Sequence, residues 1–167
     1  IIEGVKKLHS AEYRIVGDRI EAATYIIGSI LTDGDLILNG INFYETLGTV
    51  LEKLKEIGAE IEKLDDCKIR VRRDKRKLNP INITTQVFPG FPTDIQAQMM
   101  TLLASINGES SIDETIFENR FMHVPELNRM GTNIILNGNK ATIKGKSECF
   151  TSAEVMATDL RASVSLA

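Results

Sequence analysis

A short motif recurs three times along this chain, each time where a predicted apolar helix begins. The copies occupy residues 17–22, 92–97 and 157–162. In each copy a residue suited to N-capping, Asp18, Thr93 or Thr158, precedes the helical run. Intervals of about 75 and 65 residues indicate a repeated supersecondary unit. Three helices that begin alike can direct their positive N-terminal ends at one place, which predicts an anion-binding site.

The first predicted unit spans about residues 13–71 and has the order β-α-β-α-β-β. The alternation at 13–16 predicts a strand, and Asp18 then caps a helix with apolar residues at three- and four-residue steps. A second helix carries an apolar stripe and stops at Gly58. Two strands around residues 65–66 read as a hairpin.

The second predicted unit, about residues 81–143, repeats this order. Thr93 opens a helix that runs to residue 106, and Thr93 with Gln96 matches a reciprocal capping box. The Asn-Gly pair within residues 137–139 predicts a tight hairpin turn. A third unit starts at residue 148 and stops inside its first helix at residue 167. Together the repeats predict an α/β (α+β) fold that forms a single partial domain over residues 1–167.

Composition limits the functional classes open to the chain. With 167 residues, 43% of them hydrophobic, it can bury the core of one ordinary domain. A net charge of −3 gives no overall attraction to nucleic acid or membranes, and no apolar run approaches the roughly 18 residues that span a bilayer. Cys67 and Cys149 have no metal-binding neighbours in sequence, which favours free thiols and a cytoplasmic location. Because the chain starts at Ile1 and stops in a helical pattern, we expect a piece of a longer protein.

A basic run at residues 68–77 has two interpretations. Seven of its ten residues are Lys or Arg, which is typical of a nucleic-acid-binding segment. Asp74 interrupts the run and no aromatic residue lies within it. We therefore favour a hairpin strand followed by a solvated linker.

Several longer motifs resemble those of the UDP-N-acetylglucosamine 1-carboxyvinyltransferase family of enolpyruvyl transferases. The matching stretches are residues 18–22, 89–98, 116–124, 126–127, 129–131 and 155–163. Several motifs in the same order make the resemblance specific. It covers essentially the whole chain but only about two fifths of a family member.

The resemblance implies a fold of two similar domains, each an inside-out α/β barrel of three β-α-β-α-β-β units. The active site lies in the cleft between them. This chain would supply two units and the start of a third, and the second domain is missing from it, so alone we expect it to be inactive. The implied partners are the small molecules UDP-N-acetylglucosamine and phosphoenolpyruvate, with no nucleic acid, membrane, metal or cofactor. The reaction moves the enolpyruvyl group to the sugar 3-hydroxyl and releases phosphate, at the start of peptidoglycan synthesis.

Two of the implied site residues are charged and lie in the second unit. Asp94 matches the carboxylate at the sugar hydroxyl, where it contacts substrate and acts as a base or proton relay. Taken alone, an aspartate in a first helical turn only stabilises the helix dipole. Arg120 matches an arginine at the phosphoenolpyruvate end of the cleft, where a guanidinium suits a planar carboxylate. Taken alone, it would form a surface pair with Glu118 or Glu126.

The other implied site residues lie on either side of Arg120 in sequence. Asp159 and Arg161, in the third motif, match catalytic residues of the cleft, and either contact substrate or hold each other. Ile116 and Phe117 match contacts to the uridine nucleotide, although residues at a strand end are equally typical of a core. His123 would share a helical face with Arg120 if the helix has begun, with a positioning role at most.

Two other functions remain open at this point. A sister enolpyruvyl transferase that acts on shikimate phosphate would share the fold, although the strings at 117–121 and 129–131 favour the sugar enzyme. A non-catalytic binding module could also keep the scaffold. The joint presence of Asp94, Arg120, Asp159 and Arg161 argues against such a module, because a scaffold does not need all four.

Overall fold

Two successive sets of helices and strands make up the chain. The computed structural model describes residues 2–73, 78–157 and 159–166. The capping residue expected at Thr158 and the part of the basic run at 74–77 lie outside these residues. The first set comprises α1 (Arg19–Leu31), β1 (Asp35–Asn39), α2 (Phe43–Ile57), β2 (Glu60–Asp65) and β3 (Lys68–Arg72). The second set comprises β4 (Asn82–Thr84), a 3-10 helix (Thr93–Ile95), α3 (Gln96–Ala104), β5 (Gly108–Asp113), α4 (Val124–Arg129), β6 (Ile134–Asn137) and β7 (Lys140–Gly145), and α5 (Leu160–Val164) follows.

The two sheets repeat one topology. Strands β1, β3 and β2 form an antiparallel sheet in the order β1-β3-β2, and β5, β7 and β6 have the same order in the second sheet. The second sheet gains β4, which pairs with β5 in parallel. The repeated order of strands agrees with the repeat predicted from sequence, and the mixture of helices and sheets agrees with the predicted α/β class.

The strand expected at residues 13–16 is not formed. These residues have no regular secondary structure, and the side chains of Tyr13, Ile15 and Val16 are at least 75% exposed. In the second unit the corresponding strand, β4, exists because it pairs with β5. Within the described residues, 13–16 have no neighbouring strand, and alternation alone does not hold a strand in water.

The ends of the first two helices form as their sequences predict. The Asp18 carboxylate accepts the backbone N–H of Ile20 at 2.7 Å and caps α1. Gly58 follows α2 with a φ of 111°, the left-handed conformation that glycine adopts without a steric penalty.

The capping box predicted at Thr93 and Gln96 is wrong. The helical region opens with a 3-10 turn, Thr93–Ile95, in which no side chain caps the backbone. The Thr93 hydroxyl instead donates to Glu114 Oε2 at 2.8 Å. Gln96 is 1% exposed, and its side-chain nitrogen has no hydrogen-bond partner among the described residues. The competing carboxylate of Glu114 therefore replaces the predicted local bond.

Helices α1 and α3 lie between the two sheets. Helix α1 contacts β1, β3 and α3, whereas α3 contacts β5 and β7 on its other side. All nine residues of α3 are buried, including Met99 and Met100 at 0% exposure. A helix that is buried all round forms the centre of a core, and here it fixes the 3-10 turn and Asp94 to the rest of the fold.

The described part of the basic run is a strand. Arg70 donates to Asp35 at 2.7 Å and Arg72 donates to Glu60 at 2.9 Å, so both guanidiniums are paired with carboxylates on adjacent strands. The strand interpretation is thus confirmed for residues 68–72. Within the described residues, no helix combines the length and apolar character needed to cross a membrane.

Candidate active site

Asp94 and Arg120 meet at the edge of the second unit. Asp94 is the middle residue of the 3-10 turn, and Arg120 Nη2 donates to its Oδ1 at 3.1 Å. Their side chains are 30% and 20% exposed, so the pair is open to solvent on one side. Among the described residues, Asp94 Oδ2 has no hydrogen-bond partner, which leaves it available to accept a proton.

Arg161 approaches the same carboxylate from the third copy of the motif. Its Nε lies 3.6 Å from Asp94 Oδ1. The short helix α5 is held in place because the Thr101 hydroxyl, on α3, donates to the backbone oxygen of Ser165 at 3.1 Å. Asp159 caps the start of α5, where its Oδ1 accepts the Arg161 backbone N–H at 2.8 Å. Two of the three repeated helix starts therefore converge on Asp94.

The first copy of the motif takes a different set of contacts. At the position that corresponds to Asp94 stands Arg19, whose guanidinium lies 5.4 Å from the centre of the Phe88 ring. Arg19 also reaches the backbone oxygen of Thr46 at 3.5 Å. We expected all three helix starts to point at one place. In these contacts the second and third copies meet at Asp94, whereas Arg19 of the first copy contacts Phe88 and Thr46.

A loop between β5 and α4 carries the remaining candidate residues. Phe117 is 54% exposed, and the Arg120 guanidinium carbon lies 4.8 Å from the centre of its ring. Ile116 is half-buried. Asn119 has a φ of 55°, which turns the chain so that Arg120 points back towards Asp94. Residues 114–122 and the β6–β7 turn line a cleft of about 800 Å³. The core alternative is therefore wrong for Phe117, whose ring is exposed, whereas the half-buried Ile116 lines the cleft.

Two alternatives for Arg120 do not hold. It pairs with Asp94 rather than with Glu118 or Glu126, and Glu126 instead pairs with Arg129 at 3.4 Å. Helix α4 begins at Val124, so Arg120 precedes it and shares no helical face with His123. The loop before α4 turns at residues 118–119 and 122–123, and the backbone N–H groups of Ile116 and Phe117 are bonded to Glu114.

Glu114 was not identified from the sequence, yet it organises this region. The residue is 2% exposed. Its Oε1 accepts the Thr85 hydroxyl at 2.9 Å and the backbone N–H groups of Ile116 and Phe117 at 2.9 and 3.2 Å. Its Oε2 accepts the Thr93 hydroxyl. A comparison of the two repeats provides the signal that finds it, because the corresponding position of the first unit is Gly40.

His123 is buried beside the charged cluster. It is 1% exposed, and neither ring nitrogen has a hydrogen-bond partner among the described residues. Burial lowers the pKa of His123 to about 4, with Arg120 lowering it further and Asp159 opposing the shift. The ring is therefore neutral at pH 7.

The two cysteines lie elsewhere in the fold. Burial raises the pKa of Cys149, which donates to the backbone oxygen of Ala104 at 3.3 Å, and Cys67 is exposed on the first hairpin. In the described part of the chain, no three His, Cys, Asp or Glu side chains are grouped as metal ligands.

The arrangement suits a substrate that carries both an anion and a hydroxyl group. Arg120 and Arg161 each carry a guanidinium, whose parallel N–H donors suit the paired oxygens of a carboxylate or phosphate. Asp94 can accept a proton from a hydroxyl that approaches its free oxygen. Phe117 offers an exposed aromatic face for a planar group.

Comparisons with known proteins assign the class. The sequence model of the family EPSP synthase (3-phosphoshikimate 1-carboxyvinyltransferase) matches residues 1–167. The chain superimposes on the enolpyruvyl transferase NikO from Streptomyces tendae with a TM-score of 0.83 at 24% identity, over 91% of this chain and 36% of that one. An EPSP synthase from Acinetobacter baumannii gives 0.71 at 20% identity, over 90% of this chain and 38% of that one. Both structures share the fold.

Curated sequences extend the comparison. The UDP-N-acetylglucosamine 1-carboxyvinyltransferase of Pelagibacter ubique is 52% identical over 165 residues, which is 99% of this chain and 39% of that protein. The enzyme of the same name from Paramagnetospirillum magneticum is 47% identical over 99% of this chain and 38% of its own length. The chain thus spans about two fifths of the length of these relatives. It belongs to the EPSP synthase family of carboxyvinyl (enolpyruvyl) transferases.

Proposed function

We propose that the protein containing this chain transfers the enolpyruvyl group of phosphoenolpyruvate to the 3-hydroxyl of UDP-N-acetylglucosamine and releases phosphate. The observation that carries the proposal is the meeting of Arg120 and Arg161 at one oxygen of Asp94, at 3.1 and 3.6 Å. The identities of 47% and 52% to relatives named for this acceptor support the choice of sugar nucleotide.

Asp94 takes the role of base or proton relay at the sugar hydroxyl. The hydroxyl proton moves to the carboxylate while the sugar oxygen adds to C2 of phosphoenolpyruvate and C3 takes up a proton from solvent. A C3 proton of the tetrahedral intermediate then returns to solvent, which restores the double bond as the bond between C2 and the phosphate oxygen breaks. Arg120 and Arg161 both approach Oδ1 of Asp94, at 3.1 and 3.6 Å, and so hold the carboxylate in one orientation.

Arg120 and Arg161 bind the anionic groups of phosphoenolpyruvate. Arg120 keeps donors available beyond its single bond to Asp94, and a guanidinium binds two oxygens at once. Asp159 orients Arg161 through the cap of α5. Ile116 and Phe117 contact the uridine nucleotide through the loop backbone and the exposed ring.

A second domain of the same polypeptide completes the cleft, as the resemblance implies. The relatives are long enough for such a domain, because this chain corresponds to only 39% and 38% of their lengths. The protein acts in the cytoplasm on small molecules, in keeping with the free thiols of Cys67 and Cys149.

The test measures phosphate release by the full-length protein supplied with phosphoenolpyruvate and either UDP-N-acetylglucosamine or shikimate 3-phosphate. Turnover with the sugar nucleotide alone is expected. The variant Asp94→Asn keeps the size of the side chain but removes the base, and kcat should fall by about 10²–10⁴-fold. Asp35→Asn, which breaks a surface pair with Arg70, is the matched control and should leave kcat unchanged.

Two outcomes would contradict the proposal. Turnover with shikimate 3-phosphate alone would assign the sister reaction, after which the matching family is named. Binding of the sugar nucleotide without turnover would instead indicate a non-catalytic module on the same scaffold.

A further inference from the structure

Glu114 joins two parts of the candidate site that are distant in sequence. One carboxylate oxygen accepts the hydroxyl of Thr93, the residue before Asp94, at 2.8 Å. The other accepts the backbone N–H groups of Ile116 and Phe117 at 2.9 and 3.2 Å. A carboxylate that is 2% exposed and accepts several bonds holds its donors in fixed directions.

The first unit provides an internal comparison. Gly40 follows strand β1 as Glu114 follows strand β5, and both donate their backbone N–H to the hairpin of their own unit. Gly40 donates to Cys67 at 3.0 Å, and Glu114 donates to Asn139 at 2.8 Å. The shared backbone bond therefore forms with no side chain at this position. The carboxylate is an addition specific to the unit that carries the candidate site.

We propose that Glu114 is a positioning residue that fixes Asp94 relative to the Ile116–Phe117 backbone, and so aligns the reacting hydroxyl with the nucleotide-binding loop. The inference rests on the proposed function of Asp94, Ile116 and Phe117. Glu114 acts through other groups and does not itself touch the reacting atoms. Its effect on the reaction depends on the length of its side chain and on its hydrogen bonds, which together set the position of Asp94. Misplacing reacting groups by about 1 Å costs up to about 10²-fold in rate.

Two conservative variants separate reach from charge. Glu114→Asp keeps the charge but shortens the side chain by one carbon–carbon bond, about 1.5 Å, so its carboxylate cannot reach both Thr93 and the loop backbone. Glu114→Gln keeps the reach. Its oxygen can accept the three bonds made to Oε1, and its amide can donate to the Thr93 hydroxyl, which accepts as well as donates.

Ser110→Ala is the structural control. Ser110 is 1% exposed on the same strand β5, and its hydroxyl accepts the backbone N–H of Ile81 at 3.2 Å, outside the candidate site. This variant removes a buried hydrogen bond, as Glu114→Asp does, without altering the support of Asp94.

The experiment measures kcat and KM of the full-length protein and its three variants, together with Tm and amide hydrogen exchange at residues 116 and 117. For Glu114→Asp we expect kcat/KM to fall by about tenfold to a hundredfold, with a lower kcat and a higher KM for the sugar nucleotide. Its amides at 116 and 117 should exchange faster. Glu114→Gln should stay within about threefold of wild type on every readout. Ser110→Ala should lower Tm but change kcat/KM by less than about threefold.

Other results would overturn the inference. These are a Glu114→Asp enzyme within about threefold of wild type, a Glu114→Gln enzyme at least as impaired as Glu114→Asp, or an equal kinetic loss in Ser110→Ala. A wild-type protein inactive with both acceptors would instead refute the proposed function. In that case the exchange rates at residues 116 and 117 still decide whether the Glu114 carboxylate holds the loop: faster exchange in Glu114→Asp alone supports the positioning role, and unchanged exchange contradicts it.

Discussion

His123 links the stability of the fold to pH. Its ring is 1% exposed and its nitrogens lack hydrogen-bond partners among the described residues, so protonation would create a buried charge that no hydrogen bond from these residues stabilises. Burial is the main cause that lowers the pKa of His123 from 6.5 to about 4. Arg120 adds to this effect, and Asp159 opposes it.

The sign of the effect follows from which state binds the proton. Below pH 6.5 the unfolded chain protonates His123 while the folded protein does not, so the free energy of unfolding falls as the pH falls. The loss continues until the folded protein also binds the proton, near pH 4. With a His123 pKa of 6.5 in the unfolded chain and about 4 in the folded protein, the free energy of unfolding decreases by about 2 kcal/mol between pH 7 and pH 5. The full span is roughly 3 kcal/mol.

The assay is denaturant unfolding of the protein at several pH values between 7 and 4, with the variants His123→Phe and His9→Asn. His123→Phe removes the titrating group and leaves an aromatic ring in its place, so its stability should depend less steeply on pH by about 2 kcal/mol between pH 7 and pH 5. His9 is exposed, and its variant should keep the wild-type slope. Equal slopes in wild type and His123→Phe, or an NMR titration of the folded His123 ring near pH 6.5, would refute the reasoning.

Three substitutions and one control variant test which interactions stabilise the fold. Asp18→Ala removes the cap of α1 and should lower the free energy of unfolding by about 1 kcal/mol in denaturant unfolding; no change would show that water replaces the cap. Gly131→Ala forces a side chain onto a φ of 99° and brings its Cβ within 2.4 Å of the Cys149 backbone oxygen. It should cost more than Gly138→Ala, whose Cβ has open space at a φ of 60°, and an equal Tm loss would contradict this. Leu103→Ala should cost about 2–5 kcal/mol because Leu103 is 0% exposed, and a smaller loss in denaturant unfolding would mean that the core collapses around the cavity.

The sequence alone predicts the parts of the fold that depend on local chemistry. The apolar stripe of α2, the Asp18 cap and the Gly58 stop each involve residues within a few positions of one another, and the structure confirms all three. The strand at residues 13–16 and the capping box at Thr93 are wrong for a shared reason. Each depends on what a distant segment offers, a pairing strand in one case and the Glu114 carboxylate in the other.

The site shows the same division between local and distant information. The repeated motif gives a reason to join Asp94 and Arg161, but no pattern in the sequence joins Arg120 to them, 26 residues after Asp94 and 41 before Arg161. Resemblance to a family picked out these residues, and the coordinates bring them together. Glu114 belongs to no helical or catalytic pattern in the sequence. Its partners come from four different segments of the chain, so no local pattern could have identified it. Alignment of the two repeats would have marked it, since a glycine position in one unit holds a carboxylate in the other.

The two units also explain where the candidate site can form. Helix α2 begins at Phe43, four residues after β1 ends, whereas α4 begins at Val124, eleven residues after β5 ends. Both helices stop just before a glycine with positive φ, so the second unit has exchanged its first helical turns for a loop. A loop leaves backbone N–H groups without helical partners, and the buried carboxylate of Glu114 takes two of them. The segment thus freed from helical geometry can turn at Asn119 and direct Arg120 at Asp94, which residues of a regular helix packed on the core could not do. The first unit therefore keeps the long helix α2, whereas the second unit has a shorter helix α4 and a loop that positions charged groups.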